Sequence, residues 1–80
     1  LGPDMNELVE YMVKSLVDDP AAVRINRIEG QGVTIYEVSV APSDLGRVIG
    51  RHGRIANALR TVAKAAASKH DSRVTIEIMS

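Results

Sequence analysis

The chain has 80 residues, with ten basic and ten acidic side chains, 45% hydrophobic residues and no cysteine. This length predicts one small domain, which is marginally stable alone and could gain from a partner subunit. The lack of cysteine excludes disulfides and thiolate zinc sites and is in keeping with a reducing cytoplasm. No apolar run approaches the roughly 20 residues of a membrane span, and we expect no signal peptide. Leu1-Gly2-Pro3 is typical of a protease scar, so residues 1–4 are set aside and 5–80 are expected to form the domain.

The net charge of zero conceals an asymmetry between the two halves of the chain. Up to Leu45 the formal charge is −5, and from Gly46 onward it is +5. A neutral chain does not bind phosphates by bulk charge, but one basic face can. Chance clustering of charges on solvated helix faces is the alternative.

The N-terminal half predicts a helix and then a hairpin. Apolar residues at helical spacing run from Asp4 to Val17, with Asp4 and Glu7 at capping-box spacing and Pro20 as the stop. A strand follows over Val23–Glu29, where Ile28 breaks the alternation and predicts a bulge or the strand's end.

Gly30-Gln31-Gly32 predicts the hairpin turn into a second strand over Val33–Val40. Tyr36 alternates in step with Val38 and Val40, so we expect it in the core rather than as a stacking platform for a base.

The C-terminal half predicts two helices and a last strand. Pro42 opens a short helix, with Ser43 as its cap and Asp44 in its first turn. The longest helix runs over Arg54–Lys69, a turn follows at Asp71-Ser72, and a final strand alternates through Val74, Ile76 and Ile78.

The long helix carries two apolar faces, which is more than a helix lying on a sheet needs. One stripe is Ile55, Leu59, Val62 and Ala66, and the second face is Ala56, Ala63 and Ala67. The surplus alanine reflects either high helix propensity or close packing against a second subunit. The element order is α-β-β-α-α-β, and the simplest α+β packing is a three-stranded sheet covered on one face by three helices.

Two glycines with basic neighbours separate the short helix from the long one. Gly50 and Gly53 enclose Arg51 and His52, and Arg54 follows at the start of the next helix. Glycine reaches backbone angles that other residues avoid, and a helix start offers N–H groups and partial positive charge to an anion. The stretch predicts a clamp for phosphates.

Val48-Ile49-Gly50-Arg51-His52-Gly53 matches the V-I-G-x-x-G signature of KH domains, and the chain resembles that family between Met5 and Ile78. The predicted element order is that of the prokaryotic, type II arrangement. The length and the runs 45–54 and 57–62 are similar to small bacterial proteins with a single KH domain. One departure is Ala56, where the family usually has isoleucine.

The resemblance implies a single-stranded RNA ligand, of which the loop holds about four nucleotides by their backbone. The residues that it implies as contacts are Ile49, Gly50, Arg51, His52, Gly53 and Arg54, with Arg47 and Arg60 as weaker candidates and Lys64 weaker again. Val48 and Ile49 would floor the groove. Base discrimination should be slight, because the chain has no Trp or Phe. The resemblance also implies a homodimer or a pair with a larger KH-containing protein, through the alanine-rich helix, in RNA regulation.

Other functions remain open or fail on the sequence. Neither G-x-G-x-x-G nor a Gly-Lys-Ser/Thr loop is present, and the two histidines have neither a carboxylate partner nor metal-ligand spacing, so we expect no enzyme, cofactor or metal. Helix-turn-helix DNA binding through Arg54, Asn57 and Arg60 is an alternative. A protein-interaction module that acts through its dimer face is another.

Overall fold

The computed structural model describes residues 5–68 and 73–79. The expected order and fold class are confirmed: three helices cover one face of a three-stranded sheet. The elements are α1 (Met5–Lys14), β1 (Arg24–Glu29), β2 (Thr34–Ser39), α2 (Leu45–Ile49), α3 (Arg54–Ser68) and β3 (Val74–Ile78). Short 3₁₀ turns lie at Pro20–Ala22, Pro42–Asp44 and Arg51–Gly53. Within the described residues, no helix has the length and apolarity that a membrane span requires.

The sheet has the order β1-β2-β3 and is mixed. β1 and β2 are antiparallel through six consecutive pairs, from Arg24 opposite Ser39 to Glu29 opposite Thr34. Of the two alternatives for Ile28, the bulge is wrong and the strand's end is close to correct. Ile28 pairs directly with Ile35 on the sheet face away from the core, one residue before the strand ends. β2 and β3 are parallel, which requires a long crossover, and α2 and α3 supply it. This crossover leaves β3 at one edge of the sheet.

The core lies between the sheet and the three helices. Tyr36 is 3% exposed and belongs to it, as predicted. The buried hydrophobic residues are Val9, Val13, Val23, Tyr36, Val38, Val48, Ala56, Leu59, Ala63, Ala67, Val74 and Ile76.

The structure shows which apolar residues of α3 face the core, a point that the sequence left open. Ala56, Ala63 and Ala67 face the core together with Leu59. Val62, which the sequence placed with Leu59, is 47% exposed. Small side chains let the helix axis approach the sheet closely, because a larger side chain on that face would push the two apart. The surplus apolar surface is therefore the Ile55 and Val62 side of the helix.

α1 ends three residues earlier than predicted. Ser15 Oγ donates to the carbonyl of Tyr11 at 2.7 Å, and the Leu16 N–H donates to Val13 in a tighter turn. The Ser15 N–H keeps its helical bond to Tyr11 at 3.1 Å, so the α-helical pattern stops at Leu16, whose N–H bonds three residues back instead of four. The Asp4 cap and the Asp71-Ser72 turn lie outside the described residues.

The Asp44 carboxylate is the feature at the start of α2 that the sequence did not reveal. No side-chain cap bond forms at the 3₁₀ turn there, so the Ser43 cap is wrong. Asp44 is instead 1% exposed and accepts hydrogen bonds from the backbone N–H groups of Asp18 and Asp19, at 3.1 and 3.0 Å. A buried carboxylate that holds two donors is well satisfied and fixes the α1–β1 connection against α2.

Candidate nucleic-acid interface

The turn between α2 and α3 depends on its two glycines. Gly50 has φ 75° and Gly53 has φ 73°, a left-handed region that L side chains rarely adopt. A Cβ on Gly50 would lie 2.6 Å from Cγ1 and 2.9 Å from the backbone nitrogen of Ile55. Gly50 is therefore required twice, by its backbone angle and by the approach of Ile55, whereas a Cβ on Gly53 would meet nothing within 4 Å.

Hydrogen bonds define the path of the backbone through this turn. The Gly50 N–H donates to the carbonyl of Gly46 at 2.9 Å, and the Gly53 N–H donates to Gly50 at 3.1 Å. His52 lies between them with φ 59°, an uncommon angle for a residue other than glycine. The turn is thus closed by hydrogen bonds, has a left-handed residue at its centre rather than a regular 3₁₀ helix, and has Arg51 and His52 exposed.

Three basic side chains surround the turn and have no acidic partner among the described residues. Arg51, His52 and Arg54 are exposed, and within residues 5–68 and 73–79 none of them forms an ion pair or a side-chain hydrogen bond. The first-turn N–H groups of α3 add positive character at the same place. The arrangement can receive an anion from solvent without first displacing a carboxylate.

Arg47 has a different environment from the turn, although it lies only one helical turn before it. Its guanidinium contacts Asp18 Oδ2 at 2.9 Å and Asp44 Oδ1 at 3.4 Å. Two carboxylates thus offset its charge and direct the side chain toward the α1–β1 connection. The structure places Arg47 outside the group of acid-free bases at the turn.

Arg60 is anchored to the sheet. Its Nε donates to the carbonyl of Ile76 in the edge strand β3 at 2.9 Å, and one terminal nitrogen donates to Asn57 Oδ1 at 3.2 Å. Since these partners are neutral, the guanidinium keeps its positive charge beside the β3 edge. Arg60 therefore has a structural role and remains available as a weak phosphate contact.

Val48 and Ile49, the two apolar residues before the turn, differ in burial. Val48 is fully buried, whereas Ile49 is 37% exposed beside Gly50. Ile49 can therefore floor a groove at the turn, and Val48 anchors α2 to the core.

α3 has two unlike flanks, one toward α1 and one toward β3. The α1 flank, formed by Ile55, Ala58 and Val62, borders an apolar groove of about 430 Å³. Tyr11 and Met12 of α1, Ser15 and Leu16 of the turn after it, and Leu59 complete the lining of this groove. The β3 flank carries Arg60 and Lys64. All the unpaired bases at the turn lie at the helix end where these flanks begin.

Comparison of the sequence with known proteins assigns the chain to a family. The family model for the KhpA/KhpB KH domain matches residues 6–78. The chain belongs to this family. The chain is 53% identical over 75 residues to the RNA-binding protein KhpA of Caldanaerobacter subterraneus. The alignment covers 94% of this chain and all of that protein. It is 52% identical to KhpA of Clostridium perfringens over the same shares, and 52% identical to KhpA of Borreliella burgdorferi, over 91% of this chain and 89% of that protein.

A structural likeness agrees with the family assignment. A crystal structure of an Aquifex aeolicus Era variant bound to GDP·AlF4⁻ matches 92% of this chain with a TM-score of 0.64. The sequence identity is 15%, and this chain spans 29% of the length of that one, so the likeness bears on the fold alone. The resemblance inferred from the V-I-G-x-x-G signature is thus confirmed at the level of family and fold.

Proposed function

We propose that this protein binds single-stranded RNA of about four nucleotides at the Gly50–Gly53 turn, with low sequence specificity, as a cytoplasmic protein without enzymatic activity. The observation that carries the proposal is the exposed turn whose bases Arg51, His52 and Arg54 have no acidic partner among the described residues. Membership of a family whose curated relatives are named RNA-binding proteins supports it.

The chemistry of the turn suits a sugar–phosphate backbone. Gly53, where a Cβ would face open space, leaves the backbone bare where phosphates would pass, and the basic side chains would donate hydrogen bonds to them. Ile49 offers an apolar surface to sugars or bases. About three phosphate contacts predict weak binding, with a slope of log K against log salt of about −2.

Low specificity follows from the positions of the aromatic residues. The chain has neither Trp nor Phe. Tyr36 is buried, and Tyr11 lies on α1, on the side of α3 away from β3. A platform of Trp, Phe or Tyr at the turn, of the kind found in RRM and OB proteins, is therefore lacking, and recognition would rest mainly on the backbone and on the shape of the groove.

Reversal of the charge at the turn tests the proposal. We expect Arg51→Asp with His52→Asp to abolish RNA binding, because both side chains are exposed and unpaired, and to leave the melting temperature unchanged. The control makes a slightly larger change of net charge elsewhere, by reversing two bases that have acidic partners, Lys14→Asp with Arg27→Asp. An electrophoretic shift titration that found equal RNA affinity in the Arg51/His52 variant and the unmodified chain would contradict the proposal.

The same titration with duplex DNA separates the helix-turn-helix alternative. Two observations disfavour that alternative: α2 has only five residues, and Asn57 and Arg60 are hydrogen-bonded to each other, with Arg60 also bonded to β3. These side chains are poorly placed to read base edges in a major groove. We expect preference for the RNA strand over the duplex.

We further propose that the chain pairs through α3, with a second copy of itself or with the larger KH-containing protein KhpB. The support is the apolar groove on the α1 flank, where Tyr11 is 72% and Val62 is 47% exposed. Continuous apolar surface of this kind favours association, and a two-fold axis would bring the same flank of each copy together. The location differs from the alanine face that the sequence indicated, because the core already covers that face. Two turns on one dimer would raise avidity for a longer RNA, as RNA regulation would require.

A further inference from the structure

Asp44 carries the one buried charged side chain within residues 5–68 and 73–79, and the RNA contacts proposed above do not include it. Its two carboxylate oxygens accept hydrogen bonds from the backbone N–H groups of Asp18 and Asp19, at 3.1 and 3.0 Å. Arg47 Nε lies 3.4 Å from Oδ1 and places a positive charge beside it. Burial of a carboxylate is costly unless it is paired and hydrogen-bonded, so these contacts together hold the group in one position.

α2 depends on contacts at its two ends, because a helix of five residues is not stable in water by itself. Asp44 directly precedes α2 and fixes that end to the α1–β1 connection, 25 and 26 residues earlier in the chain. Within α2, Val48 is fully buried. At the other end the Gly50 N–H donates to the carbonyl of Gly46 at 2.9 Å, and the turn proposed to bind RNA begins there.

The basic side chains of the turn belong to two separately held helices. Arg51 and His52 follow α2, whereas Arg54 is the first residue of α3, which has four buried residues of its own. The five residues of α2 span about 7.5 Å, so a rotation of about 10° at the Asp44 end moves Gly50 by about 1 Å. This displacement changes the spacing between the bases, and hydrogen bonds form only between about 2.7 and 3.2 Å.

We infer that Asp44 is a positioning residue for RNA binding, because its hydrogen bonds hold α2 at the angle that places Arg51 and His52 beside Arg54. The inference rests on the proposed function and deepens it, since it names the group that orders the turn in advance. A turn that must be ordered during binding loses affinity, and a turn ordered beforehand does not. This role opposes the direct effect of the charge, since a carboxylate repels a polyanion.

Replacement of Asp44 by asparagine separates positioning from charge, because the two effects have opposite signs. Asparagine places an amide NH₂ where one carboxylate oxygen stood, so it faces one of the two backbone N–H groups with a donor. The loss of one negative charge alone would strengthen RNA binding. We expect Asp44→Asn instead to bind a four-nucleotide oligouridine about fivefold more weakly. Fluorescence anisotropy measures the affinity, at a temperature where circular dichroism shows that the variant is folded.

Asp18→Asn is the matched control, since it makes the same change of charge in the same cluster. It alters the 2.9 Å contact between Asp18 Oδ2 and Arg47 but keeps the backbone N–H group that donates to Asp44. We expect its RNA affinity to lie within about twofold of that of the unmodified chain.

Val13→Ala controls for stability, because Val13 is fully buried on α1 and its truncation leaves a cavity in the core. This variant should melt at a lower temperature and bind the oligouridine as tightly as the unmodified chain. Equal weakening of RNA binding in Val13→Ala and Asp44→Asn would show a general loss of stability and overturn the positioning role.

Hydrogen exchange on the unmodified chain tests the same claim, even if an Asp44 variant fails to fold. If the Asp44 hydrogen bonds favour RNA binding, bound RNA must favour those bonds by the same factor. We expect the amides of Asp18 and Asp19 to exchange about fivefold more slowly with saturating oligouridine. The amide of Gly30, which donates to Val33 in the β1–β2 hairpin, should be unaffected. Unchanged exchange at residues 18 and 19 would overturn the positioning role.

The two hypotheses fail differently. If the unmodified chain does not bind the oligouridine, the proposed function is wrong and the role of Asp44 falls with it. If the unmodified chain binds and Asp44→Asn binds as tightly as Asp18→Asn, Asp44 has a structural role only and the turn remains the binding site.

Discussion

The two flanks of α3 differ in chemistry although a single 15-residue helix builds both. The α1 flank offers Ile55, Ala58 and Val62 to an apolar groove. The β3 flank offers Arg60 and Lys64 to the edge of the sheet. The difference is the basis of the division of labour that we propose, in which one flank meets protein and the other meets phosphates.

The alanines of α3 make this division physically possible. Ala56, Ala63 and Ala67 face the core, so the helix is seated closely on the sheet with little side-chain bulk beneath it. Residues about a quarter-turn to either side then lie beside a neighbouring element rather than in open solvent. A helix held further away by leucines would leave shallower grooves on both sides.

A charge introduced on the α1 flank should have the largest effect, because it should remove self-association without changing RNA binding. We expect Val62→Glu to weaken self-association by about a hundredfold, because a two-fold interface would desolvate the same carboxylate twice. Binding of a four-nucleotide RNA should not change. Light scattering across a concentration series measures the association.

Thr61→Glu is the matched control, since Thr61 is the exposed neighbour of Val62 on the polar face. Equal loss of association in both variants would show general charge repulsion rather than an interface on the α1 flank. A monomeric unmodified chain at micromolar concentration would contradict the dimer.

A methyl group at Gly50 should destabilise the turn at the start of α3, where the two flanks meet. We expect Gly50→Ala to lower the free energy of unfolding by about 2–3 kcal/mol, because the new Cβ overlaps Ile55 and the backbone angle is unfavourable. Gly53→Ala has the same backbone penalty without an overlap and should cost about 1 kcal/mol. Chemical denaturation compares the two, and equal losses would mean that Ile55 moves aside without cost.

Substitution of Arg60 tests the role of charge on the β3 flank, and we expect it to have the smallest effect on stability and on RNA binding. We expect Arg60→Gln and Arg60→Lys each to lose about 1 kcal/mol of stability, since neither substitution reproduces both the Ile76 and the Asn57 hydrogen bonds. Only Arg60→Gln should also weaken RNA binding, by about threefold, because lysine keeps the charge. If lysine and glutamine weaken RNA binding equally, geometry rather than charge governs Arg60.

The sequence predicted the features that follow from periodicity and from glycine. The α-β-β-α-α-β order, the burial of Tyr36 and the turn between Gly50 and Gly53 all follow from local patterns, and the structure has each of them. These features could be predicted because alternation and glycine spacing constrain the backbone directly.

The features that the sequence did not predict depend on contacts between distant segments. Asp44 has the pattern of a helix-start acid, yet its partners are the N–H groups of residues 18 and 19. The core face of α3 stayed open because two apolar faces fit the same helix, and only the sheet decides which one is buried. The pairing of Arg47 with Asp18 was not predicted either, because Asp18 lies 29 positions earlier in the chain.

Backbone amide chemical shifts during titration with a four-nucleotide RNA test the division of labour most directly. The account predicts changes at residues 49–54 and smaller ones toward Arg60 and Ile76, with none at Tyr11, Ala58 or Val62. Changes concentrated along the α1 flank, with the Gly50–Gly53 turn unaffected, would contradict it.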